Sequence, residues 1–273
     1  DGEITMAKVK MTAEITEHSQ LTAGIFDMKV RAPQIADQAV PGQFVSLYSQ
    51  DGAKLLPRPI SLCGIHREKG ELRLVYRVAG AGTREFSRLH IGDRIEVLGP
   101  LGNGFPVKQA RKALLIGGGI GIPPMLELAR ALSWANGGGS DSNKRGMVQI
   151  ILGYRDRQMF LKDEFEPFGP VYVATEDGSV GTRGNVLDVI RQQGLEGEIL
   201  YACGPTPMLR ALKAYGTERS IECWLSLEEK MACGIGACLA CVCQSKSIDP
   251  HSQVNNKRVC KDGPVFLADE IEL

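Results

Sequence analysis

Four cysteines near the C-terminal end, Cys233, Cys238, Cys241 and Cys260, have the types and spacing for chemistry on iron. The first three stand as Cys-x4-Cys-x2-Cys in CGIGACLACVC, and the fourth follows 19 positions beyond Cys241 in RVC. One loop presenting three thiolates, completed by a fourth from further along, is a pattern that holds a [2Fe–2S] cluster. Gly234 and Gly236 let that loop take positive φ and bring backbone N–H groups towards the sulfurs. Such a centre passes one electron at a time, so the chain should also hold a group that supplies single electrons. Two other readings use the same thiols. A structural zinc site is one, although zinc ribbons pair two Cys-x2-Cys knuckles about a dozen or more residues apart. Disulfides are the other, but nothing at the N-terminus reads as a secretory signal. Cys243 reads as a bystander, and Cys63, Cys203 and Cys223, in apolar stretches, as buried residues.

The elements that must position this loop fall into two textures. Up to about Val107 the chain alternates in short β-branched runs (VKMTAEI, AGIFDMKV, GQFVSLY, ELRLVYRV, DRIEVLG) bounded by Gly, Pro, Asp or Asn. This predicts antiparallel strands closing into a small β-barrel over residues 1–107. From Lys108 strands alternate with helices: ALLIGG, then a helix opened by Pro123 and Pro124, VQIILGY, VYVATED, LDVIRQQ, EILYACG and PMLRALKAYG. That order predicts a doubly wound α/β domain with a parallel sheet over residues 108–216. Asn136–Gly146 reads as a flexible surface loop. Residues 217–273 form a small C-terminal [2Fe–2S] domain, too short for a large core and expected to be held together by its cluster.

Three motifs lie upstream of the cysteines. Arg58-Pro59-Ile60-Ser61 ends a barrel strand, and Val75-Tyr76-Arg77 and Gly82-Thr83 follow at the spacing of adjoining strands. An arginine can grip a pyrophosphate bidentately, a serine hydroxyl can bond a flavin ring nitrogen, and Gly82 admits a phosphate close to the backbone. Taken singly, Arg58 and Arg77 read as surface charges and Tyr76 as a barrel residue. As a set, placed before a nucleotide-type domain, they point to flavin. Gly117, Gly118, Gly119 and Gly121 turn a strand into a helix, where free N–H groups and the helix dipole receive phosphate. Their spacing departs from G-x-G-x-x-G, so a plain tight turn stays open. Cys203-Gly204-Pro205 makes a second such turn, and two turns from one sheet can line a dinucleotide crevice. His18, His66, His90 and His251 are scattered and read as surface residues. No catalytic side chain is assigned, because the chemistry belongs to the cofactors.

With 32 basic and 32 acidic residues the formal charge is zero, which removes the electrostatic case for nucleic acid and for a membrane surface. No apolar run approaches the ~20 residues that span a bilayer, so a soluble, cytoplasmic protein is expected. The first five residues, ahead of Met6, read as a possible non-native leader.

The order RPIS, YR, GT, GGGIGIPP, CGPTPM resembles the ferredoxin–NADP reductase superfamily. The ending SLEEKMACGIGACLACVC…RVCKDGPVF is similar to the electron-transfer subunits of class B dihydroorotate dehydrogenases. The resemblance implies FAD on Arg58, Pro59, Ile60, Ser61, Val75, Tyr76, Arg77, Gly82 and Thr83, and a cluster on Cys233, Cys238, Cys241 and Cys260. It implies NAD in the second domain, although Arg155 and Arg157 after VQIILGY stand where a 2′-phosphate would sit. It further implies an FMN-containing catalytic partner in a heterotetramer, and electron flow from dihydroorotate through cluster and FAD to NAD+ in pyrimidine (UMP) synthesis. Other readings are the reductase subunit of a sulfhydrogenase or of a ferredoxin:NADP oxidoreductase, whose small subunit tends to carry aspartate at the Cys233 position, and a non-catalytic zinc module.

Overall fold

Alternating apolar residues roll the first third of the chain into a closed barrel. The structure, a computed structural model, describes residues 8–109, 111–137, 147–250 and 253–273. Strands β1 (Val9–Thr22), β2 (Ile25–Arg31), β3 (Phe44–Tyr48), β4 (Arg58–His66), β5 (Glu71–Arg77) and β6 (Arg94–Leu101) run in the order β1-β2-β5-β4-β3-β6, and β6 returns antiparallel onto β1. Ala13, Ile15, Met28, Val30, Val45, Leu47, Leu72, Leu74 and Val97 fill the interior with no exposed surface. Helix α1 (Pro33–Gln38) adds Ile35 and Ala36 to that core, and α2 (Ala81–Phe86) adds Phe86.

The second layer is a seven-stranded sheet. It contains β7 (Ala113–Gly118), β8 (Val148–Tyr154), β9 (Val171–Thr175), β10 (Thr182–Arg183), β11 (Ile199–Cys203) and β12 (Glu222–Ser226), with helices α3 (Ile122–Ala135), α4 (Lys162–Phe165), α5 (Val186–Gln192) and α6 (Thr206–Arg219) between them. Two short strands, β13 (Val242–Gln244) and β14 (Asn256–Arg258), form a separate hairpin, and β15 (Val265–Leu267) rejoins the sheet. The order is β10-β9-β8-β7-β11-β12-β15, all parallel except the last pair. Every residue of β7 is buried, as a strand covered on both faces requires. Leu115 packs with Met125, Leu128 and Leu132 of α3, while Leu114 and Ile116 pack with residues of α5 and α6 on the opposite face.

Two expectations need correction. A border after Gly216 falls inside α6, and β12, assigned to the C-terminal domain, pairs along its whole length with β11. Nor is the C-terminal region a small body with a core of its own. Cys241, Cys243, Val259, Cys260 and Phe266 share one buried cluster with Leu225 of β12 and with Phe44 and Leu101 of the barrel. Of the expected loop at Asn136–Gly146, residues 138–146 lie outside the described residues, as does His251, and Asn136 itself is buried.

Polar latches join barrel and sheet. Arg73 on β5 grips Asp27 at 2.6 Å and Glu164 of α4 at 2.5 Å. The buried Glu127 of α3 accepts the Ile65 N–H at 3.2 Å, while Arg130 reaches the Ile65 carbonyl at 3.1 Å. At the crossover, Glu222 pairs with Lys108 and Arg111 and accepts the Trp224 indole N–H at 2.6 Å. Burial raises the Glu222 carboxyl, but these donors outweigh it and hold it down at about 2. A depressed carboxylate contributes stability above its unfolded pKa and loses it as pH falls through the folded value. Glu222→Gln is therefore expected to cost roughly 1–3 kcal/mol at pH 7. The thermal midpoints of variant and parent should converge as pH falls from about 4.5 towards 2.

Candidate functional site

A cleft of about 690 Å³ opens where the barrel meets the C-terminal ends of the parallel strands. One wall is the β1–β2 turn, Thr22 to Gly24, with Arg77 at the end of β5. The other follows the strand ends in turn: Gly118 and Gly119 after β7, Tyr154 to Asp156 after β8, Glu176 after β9, Gly204 and Pro205 after β11, and Glu228 after β12. This is the crevice at which open α/β sheets bind dinucleotides.

Both glycine-bearing turns meet here. A Cβ on Gly121 would stand 2.4 Å from the Cys203 carbonyl oxygen, and one on Gly118 2.6 Å from the Met208 sulfur. Gly119 has φ +54°, and its open side faces the Arg77 guanidinium, 3.6 Å from an ideal Cβ. Of the residues expected for NAD, Gly118, Gly119, Gly121, Gly204 and Pro205 line the cleft, while Gly117 and Cys203 are buried beneath it. Burial pushes the Cys203 thiol up, so it rests protonated. Gly121→Ala is expected to force the two turns apart and raise KM for NADH about tenfold or more, with flavin retained. Steady-state kinetics alongside flavin absorbance would measure both.

Glu228, within SLEEK, was not singled out from the sequence. Crowding by the cleft walls raises its carboxyl, with Arg77 opposing, although the residue is exposed to the water of the cleft. Arg155 does line the cleft, flanked by Asp156 and Glu176; Arg157 is not among its lining residues and feels the charge of Asp177.

The residues expected for flavin divide. Arg58 lies over Gly82, where a Cβ would stand 2.6 Å from its Nε, so these two come together. Strand alternation separates the others. Ile60 and Tyr76 turn into the barrel core, whereas Val75 packs with Cys63, Ile25 and Ile122 between barrel and sheet. Tyr76 is 1% exposed, so any cofactor contact it makes runs through backbone. Thr83 spends its hydroxyl closing its own turn, accepting from the N–H groups of Ala79 at 3.0 Å and Gly80 at 3.2 Å. His18, expected at the surface, is half-buried. Its Nδ1 donates to the Leu89 carbonyl at 2.7 Å, which leaves Nε2 to accept the Tyr76 hydroxyl at 3.0 Å.

The cysteines lie as two neighbouring pairs, Cys233 with Cys238 and Cys241 with Cys260. Among the described residues no three metal-ligating side chains gather as a single ion requires. Two thiolates at each of two irons is the demand of a [2Fe–2S] cluster. Backbone donors are already aimed at the sulfurs. Ile235 and Ala237 donate to Cys233, both at 3.4 Å, Gly236 to Cys260 at 3.1 Å, and Cys260 to Cys241 at 3.4 Å. Burial raises the Cys233 thiol, but these N–H groups and Cys238 bring it down to about 6. Gly234 and Gly236 both have positive φ, +68° and +87°. Such N–H···S contacts stabilise thiolate charge and fit an iron–sulfur centre. Cys241 and Cys260 are buried, whereas Cys238 is exposed.

Family models match three successive regions. Residues 11–105 match an oxidoreductase FAD-binding domain, 115–214 an oxidoreductase NAD-binding domain, and 228–272 the iron-sulfur cluster binding domain of dihydroorotate dehydrogenase B. The chain is 43% identical to a Geobacillus protein named dihydroorotate dehydrogenase B (NAD(+)), electron transfer subunit, covering 98% of this chain and 100% of that one. This chain belongs to that family. Another member, from Fusobacterium nucleatum, is 42% identical over 95% of this chain and 97% of its own. Family membership makes FAD, NAD and an iron–sulfur cluster the cofactors of the three regions. Among solved structures, a chain of an NADH-dependent reduced ferredoxin-NADP oxidoreductase superposes with TM-score 0.83 at 29% identity, covering 95% of this chain and 89% of that one. A ferredoxin reductase of carbazole 1,9a-dioxygenase shares the fold with TM-score 0.66 at 22% identity, covering 80% and 68%. Among the described residues of this family member, no helix is long and apolar enough to cross a membrane.

Proposed function

We propose that this chain is the electron-transfer subunit of an NAD-dependent dihydroorotate dehydrogenase. The observation that carries the reading is the cysteine set: backbone N–H groups already reach Cys233, Cys241 and Cys260, and Cys241 and Cys260 lie in the core shared with the barrel and the nucleotide-binding sheet. FAD, when bound, exchanges a hydride with the nicotinamide and single electrons with a [2Fe–2S] cluster.

The chain's own residues do the positioning. Arg58, over Gly82, holds the FAD pyrophosphate, and Ser61, on the same strand face as the interdomain Cys63, offers a hydroxyl to the flavin. Gly118, Gly119, Gly121 and the Gly204–Pro205 turn admit the NAD phosphates, with Arg77 above them from the barrel. Asp156 and Glu176 beside Arg155 favour a ribose hydroxyl over a 2′-phosphate. Cys233 and Cys238 hold one iron, Cys241 and Cys260 the other.

Dihydroorotate is oxidised on a separate FMN-containing catalytic subunit in the cytoplasm. Its two electrons and a proton end on NAD+, and the second proton goes to solvent. Two such chains join two catalytic subunits. Ile235 and Leu239, 43% and 39% exposed, flank the exposed Cys238 and offer an apolar face to that partner. Co-expression with an FMN-containing partner of dihydroorotate dehydrogenase type tests the assignment. The complex should form NADH from dihydroorotate and NAD+, which this chain alone should not do. NADH-linked reduction of ferredoxin without such a partner would favour the ferredoxin:NADP oxidoreductase reading instead.

A further inference from the structure

The barrel leaves β6 through Leu101, Gly102 and Asn103, and at this point it is bonded to the segment that follows the last cysteine. The Asn103 backbone N–H donates to the Gly263 carbonyl at 2.6 Å. Its side-chain amide donates to the carbonyls of Asp262 at 3.1 Å and Val265 at 2.7 Å, and its Oδ1 accepts the Val265 N–H at 3.0 Å. Every polar group of the side chain thus contacts residues 262–265. Gly102 beside it has φ +72°, and a Cβ there would stand 2.5 Å from the Gly263 carbonyl oxygen. The two segments pack too closely for any side chain between them.

The bonded segment begins two residues after Cys260. The turn from Arg258 to Gly263 is closed by Lys261 and Asp262 N–H groups on the Arg258 carbonyl, and Cys260 lies inside it. Arg258, 6% exposed, pairs with Asp262 at 3.1 Å and with Asp249 at 3.5 Å, and its Nη1 donates to the Gly236 carbonyl at 3.2 Å. One chain of contacts therefore runs from the barrel through Asn103, the 258–263 turn and Arg258 to the loop that carries the other three cysteines. That loop touches the barrel again at Gly234, where a Cβ would stand 3.0 Å from Ser46 Oγ.

We propose that Asn103 is a positioning residue for electron transfer: it sets the cluster at a fixed distance from the flavin barrel. The inference rests on the electron-transfer reading above. Tunnelling between two centres falls steeply with separation, so a latch that holds the gap governs transfer between them and not hydride transfer from NADH. Asn103 lies outside the nicotinamide cleft and does not reach any sulfur.

The test uses the full-length chain loaded with FAD and iron, in Asn103→Ala and in Asn103→Asp, which keeps the acceptor for Val265 but cannot donate. Stopped-flow absorbance would follow flavin bleaching by NADH, with freeze-quench electron paramagnetic resonance following the reduced cluster. Flavin bleaching should match the parent in rate, while appearance of the reduced cluster slows about tenfold or more. Exchange of the Val265 amide hydrogen should also quicken. If Asn103→Ala does not fold, the same readings are taken on Asn103→Asp. Parental rates at both steps in a folded variant would overturn the proposal. Loss of the cluster with normal flavin bleaching would also overturn it, because Asn103 would then serve only to fold the cysteine turn. A parent chain whose cluster NADH does not reduce would instead defeat the electron-transfer reading itself.

Discussion

Cys260→Ser is expected to leave a folded chain that keeps FAD and passes electrons from NADH to ferricyanide but has lost its iron. Cys260 is 1% exposed, receives the Gly236 N–H at 3.1 Å and is paired with Cys241. An oxygen ligand in this thiolate-shaped seat is a poor match for iron held by sulfur. Second-sphere changes at metal sites already cost about 10–100-fold in affinity or activity, so removal of a ligand should exceed that. Dihydroorotate oxidation linked to NAD+ in the assembled complex should fall by about two orders of magnitude or more. Cys243→Ser is the control. Cys243 sits in β13 opposite Lys257, buried in the core shared with the sheet, and its replacement should leave iron content unchanged. The fold should survive both changes, because the C-terminal region shares its core with β12 and the barrel. Iron and acid-labile sulfide analysis of the two variants would decide the matter, and equal iron in both would refute the ligand assignment.

The second large effect concerns flavin. Arg58→Ala removes a guanidinium that lies over the backbone of Gly82 and that, among the described residues, bonds the Leu56 and Pro57 carbonyls. Charge-assisted bonds to phosphate contribute about 1.5–3 kcal/mol each, so FAD affinity should drop about 10–100-fold. Purified protein should emerge partly or wholly colourless and regain absorbance at high added FAD. Gly82→Ala should act in the same direction by a different route. Its methyl group would occupy the space of the Arg58 Nε, and a flexible side chain moves aside at little cost to stability. Normal flavin occupancy in Arg58→Ala would remove Arg58 from the phosphate site.

Much of this arrangement was legible in the sequence because it rests on local rules. Period-two alternation exposed the barrel strands, and the all-apolar run ALLIGG marked a strand buried on both faces. The spacing of three cysteines around Gly234 and Gly236 announced a loop that turns N–H groups onto sulfur, and both glycines have positive φ. What was not legible depends on contacts between distant segments. Nothing in the residues around 265 signals that β15 joins β12 as an antiparallel edge, which is why the C-terminal region looked like a body of its own. Tyr76 and Arg77 are neighbours in sequence, yet one fills the barrel and the other overhangs the cleft. A motif read as a string does not separate its two faces, although the alternation of β5 would have done so. Glu228 enters the cleft only because β12 ends beside β11, and His18 reaches Tyr76 only across β2, beside Phe26.

One measurement bears most directly on the cofactors of this chain: absorbance of anaerobically purified protein with flavin, iron and sulfide analysis, before and after NADH. About one FAD and two irons per chain are expected, with the flavin and cluster bands bleached when NADH is added. A colourless protein carrying zinc and no flavin would contradict that expectation, leaving a folded module in which the four cysteines serve structure alone.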